Sequence, residues 1–153
     1  MLIRTILNRV HPIKGFVYGT VRMEDRDGRQ GLHVSVRPRR NGRARCSKCQ
    51  RRSSGYDHLP SRSFEFIPMW NMRVVLWYAP RRVRCVEHGI VVEHMPWARG
   101  KEHTTLAFSV FLARWAGLLS WQEVARRFKT SWGTVYEAVK RVVDYGLEHQ
   151  ELE

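Results

Sequence analysis

Acidic residues are scarce in this chain. Its 153 residues carry 14 Asp and Glu against 27 Lys and Arg, a formal net charge of +13. The shortage is local: residues 1–100 hold 20 of the basic groups and 7 acids, whereas residues 101–153 hold 7 of each. The whole excess therefore lies in the first part, and a charge that large concerns partners rather than fold. Cysteine is also sparse, with three in all, and no export signal is apparent because Arg4 and Arg9 interrupt the short apolar stretch at the start. That combination argues against disulfides and for a reducing, cytoplasmic setting. No apolar run approaches the length of a membrane span, so no membrane partner is expected. No catalytic set stands out either. Asp25, Asp27, Asp57 and Asp144 are scattered in turns or on a helix, and no Ser/His/Asp or thiolate arrangement suggests itself. The chain is expected not to be an enzyme.

What is present begins with apolar material. With 43% hydrophobic residues and six tryptophans there is enough for a core, so this is not a disordered basic tail. The length allows one large domain or two small ones. All three cysteines fall in two short pairs, Cys46-Ser-Lys-Cys49 and Cys85-Val-Glu-His88. The spacing places two ligands in one tight turn, and two such turns make a closed Cys3His tetrahedron of the kind that holds structural Zn2+. His88 has the matching spacing for the fourth ligand, with His58, His94 and His33 as substitutes. A catalytic zinc would need an open position and a general base, for which Glu87 and Glu93 are weak candidates.

The first pair sits inside a dense cationic run: Arg37, Arg39, Arg40, Arg43, Arg45, Lys48, Arg51 and Arg52, with no acid among them. A solvated loop is the ordinary fate of a charge run. Here eight like charges in sixteen residues would repel strongly without a polyanion, and they flank a metal turn. Arginine outnumbers lysine 22 to 5, and the guanidinium suits phosphates, guanine edges and narrow minor grooves. Nucleic acid is the expected partner.

Along the chain, the first hundred residues read as strands: Phe16–Arg22, a turn at Asp25-Arg-Asp-Gly28, Leu32–Arg37, Ser63–Ile67 and Arg73–Tyr78, the last leading through Arg81–Arg84 into the second pair. This predicts a zinc-ribbon-like module in which a β-hairpin separates the two metal turns. Met95-Pro-Trp-Ala-Arg-Gly100 marks a boundary. Beyond it, Leu106–Leu119 is apolar on nearly every face and predicts a buried helix. Ser120-Trp-Gln-Glu123 has the form of a capping box opening a short helix to about Arg127. Thr130 or Ser131 then caps a longer helix with apolar Val135, Ala138, Val139 and Val142 at helical spacing. The pattern fits a helix-turn-helix, with Val124, Phe128, Val135 and Ala138 inward and Ala125 at the close approach. Lys129 falls in the turn where glycine is often found. Ser131, Trp132, Gly133, Thr134, Tyr136, Glu137 and Lys140 would face outward, near the helix start that meets base edges. Trp132 is equally well read as packed on the preceding helix. The expected fold class is α+β, with a β-rich zinc-binding domain at 1–98 and a helical domain at 99–153.

A family resemblance accompanies these features. Asn8-Arg-Val-His-Pro12, Phe16-Val-Tyr-Gly19, Val36-Arg-Pro-Arg-Arg40, the Cys46/Cys49 turn, Tyr56-Asp57, Arg81-Arg-Val83, Cys85 to Gly89, Pro96-Trp-Ala98 and Ser131-Trp132 occur in the order seen in bacterial insertion-sequence transposases. The chain resembles the N-terminal part of the ISL-three family of these enzymes. That resemblance implies a zinc-binding domain, a helix-turn-helix, and then a ribonuclease-H-like domain whose Asp/Asp/Glu triad binds Mg2+. The stretch Gly146–Gln150 lies close to where the first catalytic aspartate would fall, so the catalytic domain is expected to be absent here. The family usually has cysteine where His88 stands. The implied role is recognition of double-stranded DNA at terminal inverted repeats, with a homodimer on DNA and a nucleoid-associated, cytoplasmic location. The alternatives are a stand-alone repressor, an RNA-binding zinc ribbon and, as an enzyme, a zinc hydrolase.

Overall fold

A computed structural model describes residues 2–26 and 28–148. Asp27 of the expected Asp25–Gly28 turn, and His149 and Gln150 of the closing stretch, lie outside the described residues. In chain order the elements are α1 (Ile3–Val10), β1 (Phe16–Arg26), β2 (Arg29–Pro38), β3 (Ser54–His58), β4 (Arg62–Met69), β5 (Met72–Tyr78), β6 (Arg81–Cys85), β7 (Gly89–Val92), α2 (Leu106–Ala116), α3 (Trp121–Arg127) and α4 (Trp132–Glu148).

The opening helix corrects the reading of the first hundred residues as strands throughout. Local signals for α1 are weak, since its start has neither a side-chain cap nor an acid in the first turn. Tertiary packing supplies the reason for it: Leu7 is buried, and Ile3, four residues earlier on the same face, packs on the same core. Asn8 then ties the helix to the sheet, its Oδ1 accepting the Tyr18 N–H at 3.1 Å.

Four strands form the main sheet in the order β1-β2-β5-β4. Two antiparallel hairpins, β1–β2 and β4–β5, meet along a parallel β2–β5 seam. Alternate residues Leu32, Val34 and Val36, then Phe64 and Phe66, then Val74, Leu76 and Tyr78, point into one core, as a half-buried pleat requires. Trp97 closes that core. Its ring meets Phe16, Tyr78 and Phe64 edge to face, with centroids 4.8, 5.2 and 5.9 Å away.

The hairpin expected between the two metal turns exists as β4–β5, yet it belongs to this larger sheet. The metal turns have a separate three-stranded sheet, β3-β6-β7, over a small core of Ala44, Cys46, Val83 and Cys85. A buried carboxylate joins the two sheets. Glu93 is 2% exposed and accepts the Tyr78 hydroxyl at 2.5 Å, the Arg81 backbone N–H at 2.8 Å, and Arg81 Nε and Nη2 at 2.9 and 2.7 Å. Burial and the adjoining carboxylate push the Tyr78 phenol well above its ordinary pKa.

Buried residues from Leu7 to Ala98 and those from Phe108 to Ala138 form separate clusters. Thr105 links them. Its N–H and hydroxyl both donate to the Glu65 carbonyl at 2.9 Å, while the hydroxyl oxygen caps α2 by accepting the Phe108 N–H at 3.1 Å. The structure corrects the expectation that this helix is buried all round. Only Phe108, Ser109 and Leu112 are buried; α3 and α4 cover one stripe, leaving Val110 and Trp115 about 40% exposed. Arg141 fastens α4 to α2 by donating to Ser109 Oγ at 2.7 Å, and it also pairs with Glu102.

Ser120 caps α3 by accepting the Glu123 N–H at 3.2 Å. Glu123 completes only half of the expected box, because its carboxylate pairs with Arg126 and Arg127. Val124, Ala125, Val135 and Ala138 are buried where α3 and α4 meet, and Phe128 packs against them. Lys129, in the turn between these helices, has φ +52.

Two stability measurements follow from this architecture. Glu93→Ala leaves the Arg81 guanidinium and Tyr78 hydroxyl without their acceptor, and urea unfolding is expected to show a loss on the order of 3 kcal/mol; a loss below about 1 kcal/mol would refute the role given to this carboxylate. Lys129→Gly relieves a left-handed backbone position and should gain roughly 0.5–1 kcal/mol. An unchanged or lower urea midpoint would contradict that reading of the turn.

Candidate metal centre and nucleic-acid interface

Both C-x2 turns end in a left-handed residue immediately after the second ligand: Gln50 at φ +63 and Gly89 at φ +68. This reversal turns the chain back and leaves both ligands of each pair on the inner side. Glycine adopts the conformation freely, whereas at Gln50 it costs about 1 kcal/mol. The first turn is braced by its own backbone, with Gln50 N–H on the Cys46 carbonyl at 2.9 Å, Cys46 N–H on the Arg51 carbonyl at 2.9 Å, and Lys48 N–H on Cys46 Sγ at 3.4 Å.

The two turns face one another. Ligand atoms of Cys46, Cys49, Cys85 and His88 all lie within 4.8 Å of each other. Cys49 Sγ to Cys85 Sγ is 3.6 Å, and His88 Nδ1 is 3.7 Å from both Cys46 Sγ and Cys85 Sγ. A tetrahedral ion with thiolate bonds of about 2.3 Å and an imidazole bond of about 2.0 Å requires edges of about 3.8 and 3.5 Å. The residues fit. All three cysteines are free thiols, and hydrogen bonds from the side chain and backbone of His88 bring the Cys85 thiol down to about 6, toward the thiolate that a metal binds. Cys46 and Cys85 are buried, Cys49 is half-buried and His88 is exposed. These four residues could hold a metal ion.

The substitute histidines have other surroundings. His94 Nδ1 is 3.1 Å from Gln50 Nε2, and His33 Nδ1 accepts the Trp77 indole N–H at 2.8 Å. His58 is exposed on β3. Glu93 is engaged as described, and Glu87 pairs with Arg51 at 2.6 Å, bridging the two metal turns at the surface.

Arg37 lies next to the end of β2; Arg39, Arg40 and Arg43 follow in the loop leading to the first metal turn; Arg45, Lys48, Arg51 and Arg52 flank that turn. All eight side chains are exposed. Arg45 Nη1 donates to the Gln50 carbonyl at 2.9 Å, so this cation is partly engaged in bracing the turn. Sequence reasoning missed an extension of this surface. Exposed Tyr56 on β3 has the guanidinium carbons of Arg82 and Arg84, on β6, at 5.3 and 5.2 Å from its ring centre. Asp57 holds Arg82, with Nε to Oδ1 at 2.6 Å, and the hydrogen-bonded guanidinium draws the Asp57 carboxyl below the usual range. The alternation of Arg82 and Arg84 was the available signal, but their shared partner Tyr56 lies 26 and 28 residues away in sequence.

On α4, Trp132, Gly133, Tyr136, Glu137 and Lys140 are exposed. Ser131 Oγ accepts the Thr134 N–H at 3.0 Å and lies 2.9 Å from Thr134 Oγ1, so these two hydroxyls start the helix. Trp132 packs against the preceding helix, its ring 5.5 Å from Trp121 of α3, and the residue is 51% exposed.

Over 132 residues, 84% of its length, the chain is 33% identical to "Transposase for insertion sequence element IS1557" from two strains of Mycobacterium tuberculosis, CDC 1551 / Oshkosh and ATCC 25618 / H37Rv. It spans 30% of the length of these relatives. No family model matches the chain, and no solved structure matches it significantly. The similarity supports a transposase-related role.

Metal analysis of the purified protein is expected to give about one equivalent per chain. Cys85→Ser should lose it together with the folded β3-β6-β7 sheet, because binding and folding free energy are shared at such a site. Full retention by His88→Ala would show that His88 is not the fourth ligand.

Proposed function

We propose that this chain is the DNA-recognition region of an insertion-sequence transposase and that it binds the terminal inverted repeats of its element. The observation that carries the reading is the Cys3His cluster set among eight exposed cations, in a chain similar to transposases over 84% of its length. Three thiolates and an imidazole in a closed tetrahedral set suit Zn2+, which has no geometric preference of its own and commonly serves such sites. Zinc here is structural. It joins two turns whose nearest ligands, Cys49 and Cys85, are 36 residues apart, and so fixes the loop that carries the arginines.

Two elements divide the work in this proposal. Residues 1–98 form a zinc-binding domain whose arginines neutralise phosphates or enter a minor groove. Residues 99–153 form a helix-turn-helix domain in which α4 enters the major groove. Support for the second comes from the short α3, the small Ala125 at the buried contact with α4, and the left-handed turn at Lys129. Inverted repeats suit a homodimer, one copy to each end. Strand cleavage and joining are assigned to a catalytic domain outside this chain, so duplex incubated with it and Mg2+ should stay intact; nicking above a metal-free control would refute that assignment.

Binding isotherms on specific and random duplexes across a salt series test the division. Replacing Arg39, Arg40 and Arg43 together by alanine should weaken all duplexes alike and make the slope of log K against log salt shallower by about 2.7, the release expected for three phosphates. Lys140→Ala should cost on the order of 1–3 kcal/mol on the specific site and little on random duplex. Loss of specificity alone in the arginine variant, with general affinity lost in the α4 variant, would reverse the roles. Preference for structured RNA over duplex DNA would overturn the proposal.

A further inference from the structure

The start of α4 carries few free polar groups. Ser131 and Thr134 use their hydroxyls on one another and on the helix's first turn. Between and beyond them, the outward positions of the first two turns are Trp132, Gly133, Tyr136 and Glu137. Trp132 and Tyr136, four residues apart, stack with centroids 5.7 Å apart and planes within 11°. Trp121 of α3 backs both rings at 5.5 and 6.0 Å. The pair is therefore held in place before any partner arrives, yet it remains open, with Trp132 51% and Tyr136 40% exposed. Gly133 adds room beside it: a Cβ there would meet only Ser131 Oγ, at 3.7 Å.

A fixed apolar pair on a helix assigned to the major groove has a defined counterpart. Of the groups that base pairs present there, the C5 methyl of thymine is the apolar one. Residues 101–153 carry 7 basic and 7 acidic groups, so the polyanionic occupant follows from the proposed role and from the strongly basic first hundred residues of the same chain, which would bring a polyanion to it. Resting on the proposed DNA-recognition role, we propose that the Trp132–Tyr136 pair reads thymine methyl groups in the target site and is its main determinant of T over C at one or two adjacent positions. Trp121 is a positioning residue for the pair.

Replacing thymine by uracil removes the methyl and leaves base pairing intact, so it isolates this contact. The duplex the protein selects from a random library is the probe, with each thymine replaced singly by uracil and binding followed by fluorescence anisotropy. For the unaltered protein, one or two positions should weaken about fourfold, the value of burying one methyl group. In Trp132→Ala and, independently, Tyr136→Leu, uracil at those same positions should make no further difference, with circular dichroism and metal content confirming the fold. Two variants keep the test valid if one fails to fold. A flat uracil scan for the unaltered protein, with specific binding intact, overturns this inference and leaves the DNA-recognition role standing. So does methyl sensitivity that persists unchanged in both variants. Failure to select any duplex sequence overturns the role itself, and the inference with it.

Discussion

The Glu93 carboxylate is the point on which the arrangement of the two sheets depends. A charge this deeply buried is tolerated only when its lone pairs are filled, and here Tyr78 from the main sheet and Arg81 from β6 fill them together. Arg81 also reaches the Gly42 carbonyl at 3.4 Å, in the loop that leads to the first metal turn. Strand β5, the edge of the metal module and the arginine loop thus converge on one side chain. Breaking the contact exposes no large apolar surface; it strands three polar groups away from water, and that cost holds the units in one orientation.

The metal module needs help of another kind. Its core consists of four buried residues, two of which are candidate ligands. Cores of that size do not stabilise a sheet on their own, and a metal is a common substitute for missing apolar contacts. Charge adds to the demand. Eight cations lie in the first turn and the residues on either side of it, and Arg51–Glu87 is an ion pair that spans the two turns. An ion at the four ligands would hold this loop in place against its own repulsion.

Along α3 and α4 the apolar residues divide into two populations. Val124, Ala125, Val135 and Ala138 are buried where the helices meet, whereas Trp132 and Tyr136 stack in the open. Helical spacing at Val135 and Ala138 identifies the first population. The same spacing places Tyr136 outward but leaves Trp132 open between an outward position and packing on α3, because an exposed aromatic and a core aromatic look alike in a sequence of six tryptophans. Contact with Trp121 from the neighbouring helix is what orients the exposed pair.

Local chemistry made much of this protein legible in advance. The C-x2 spacing grouped Cys46, Cys49, Cys85 and His88, because a tight turn brings its two ligands together whatever the rest of the chain does. Period-two alternation located the strands of the main sheet, and Ser120 located the start of α3, since a hydroxyl cap acts within one turn. The acid-free arginine run is exposed throughout, as charge without counter-charge must be. Features that depend on distant partners were decided by the tertiary structure. Helix α1 lacks caps and exists through the burial of Leu7. The parallel β2–β5 seam draws the hairpin between the metal turns into another sheet. Glu93 is a structural anchor because Tyr78 and Arg81 surround it, and Tyr56 meets two guanidiniums only when β3 pairs with β6. Each of these depends on residues brought together from separate parts of the chain, a relation that no local pattern records.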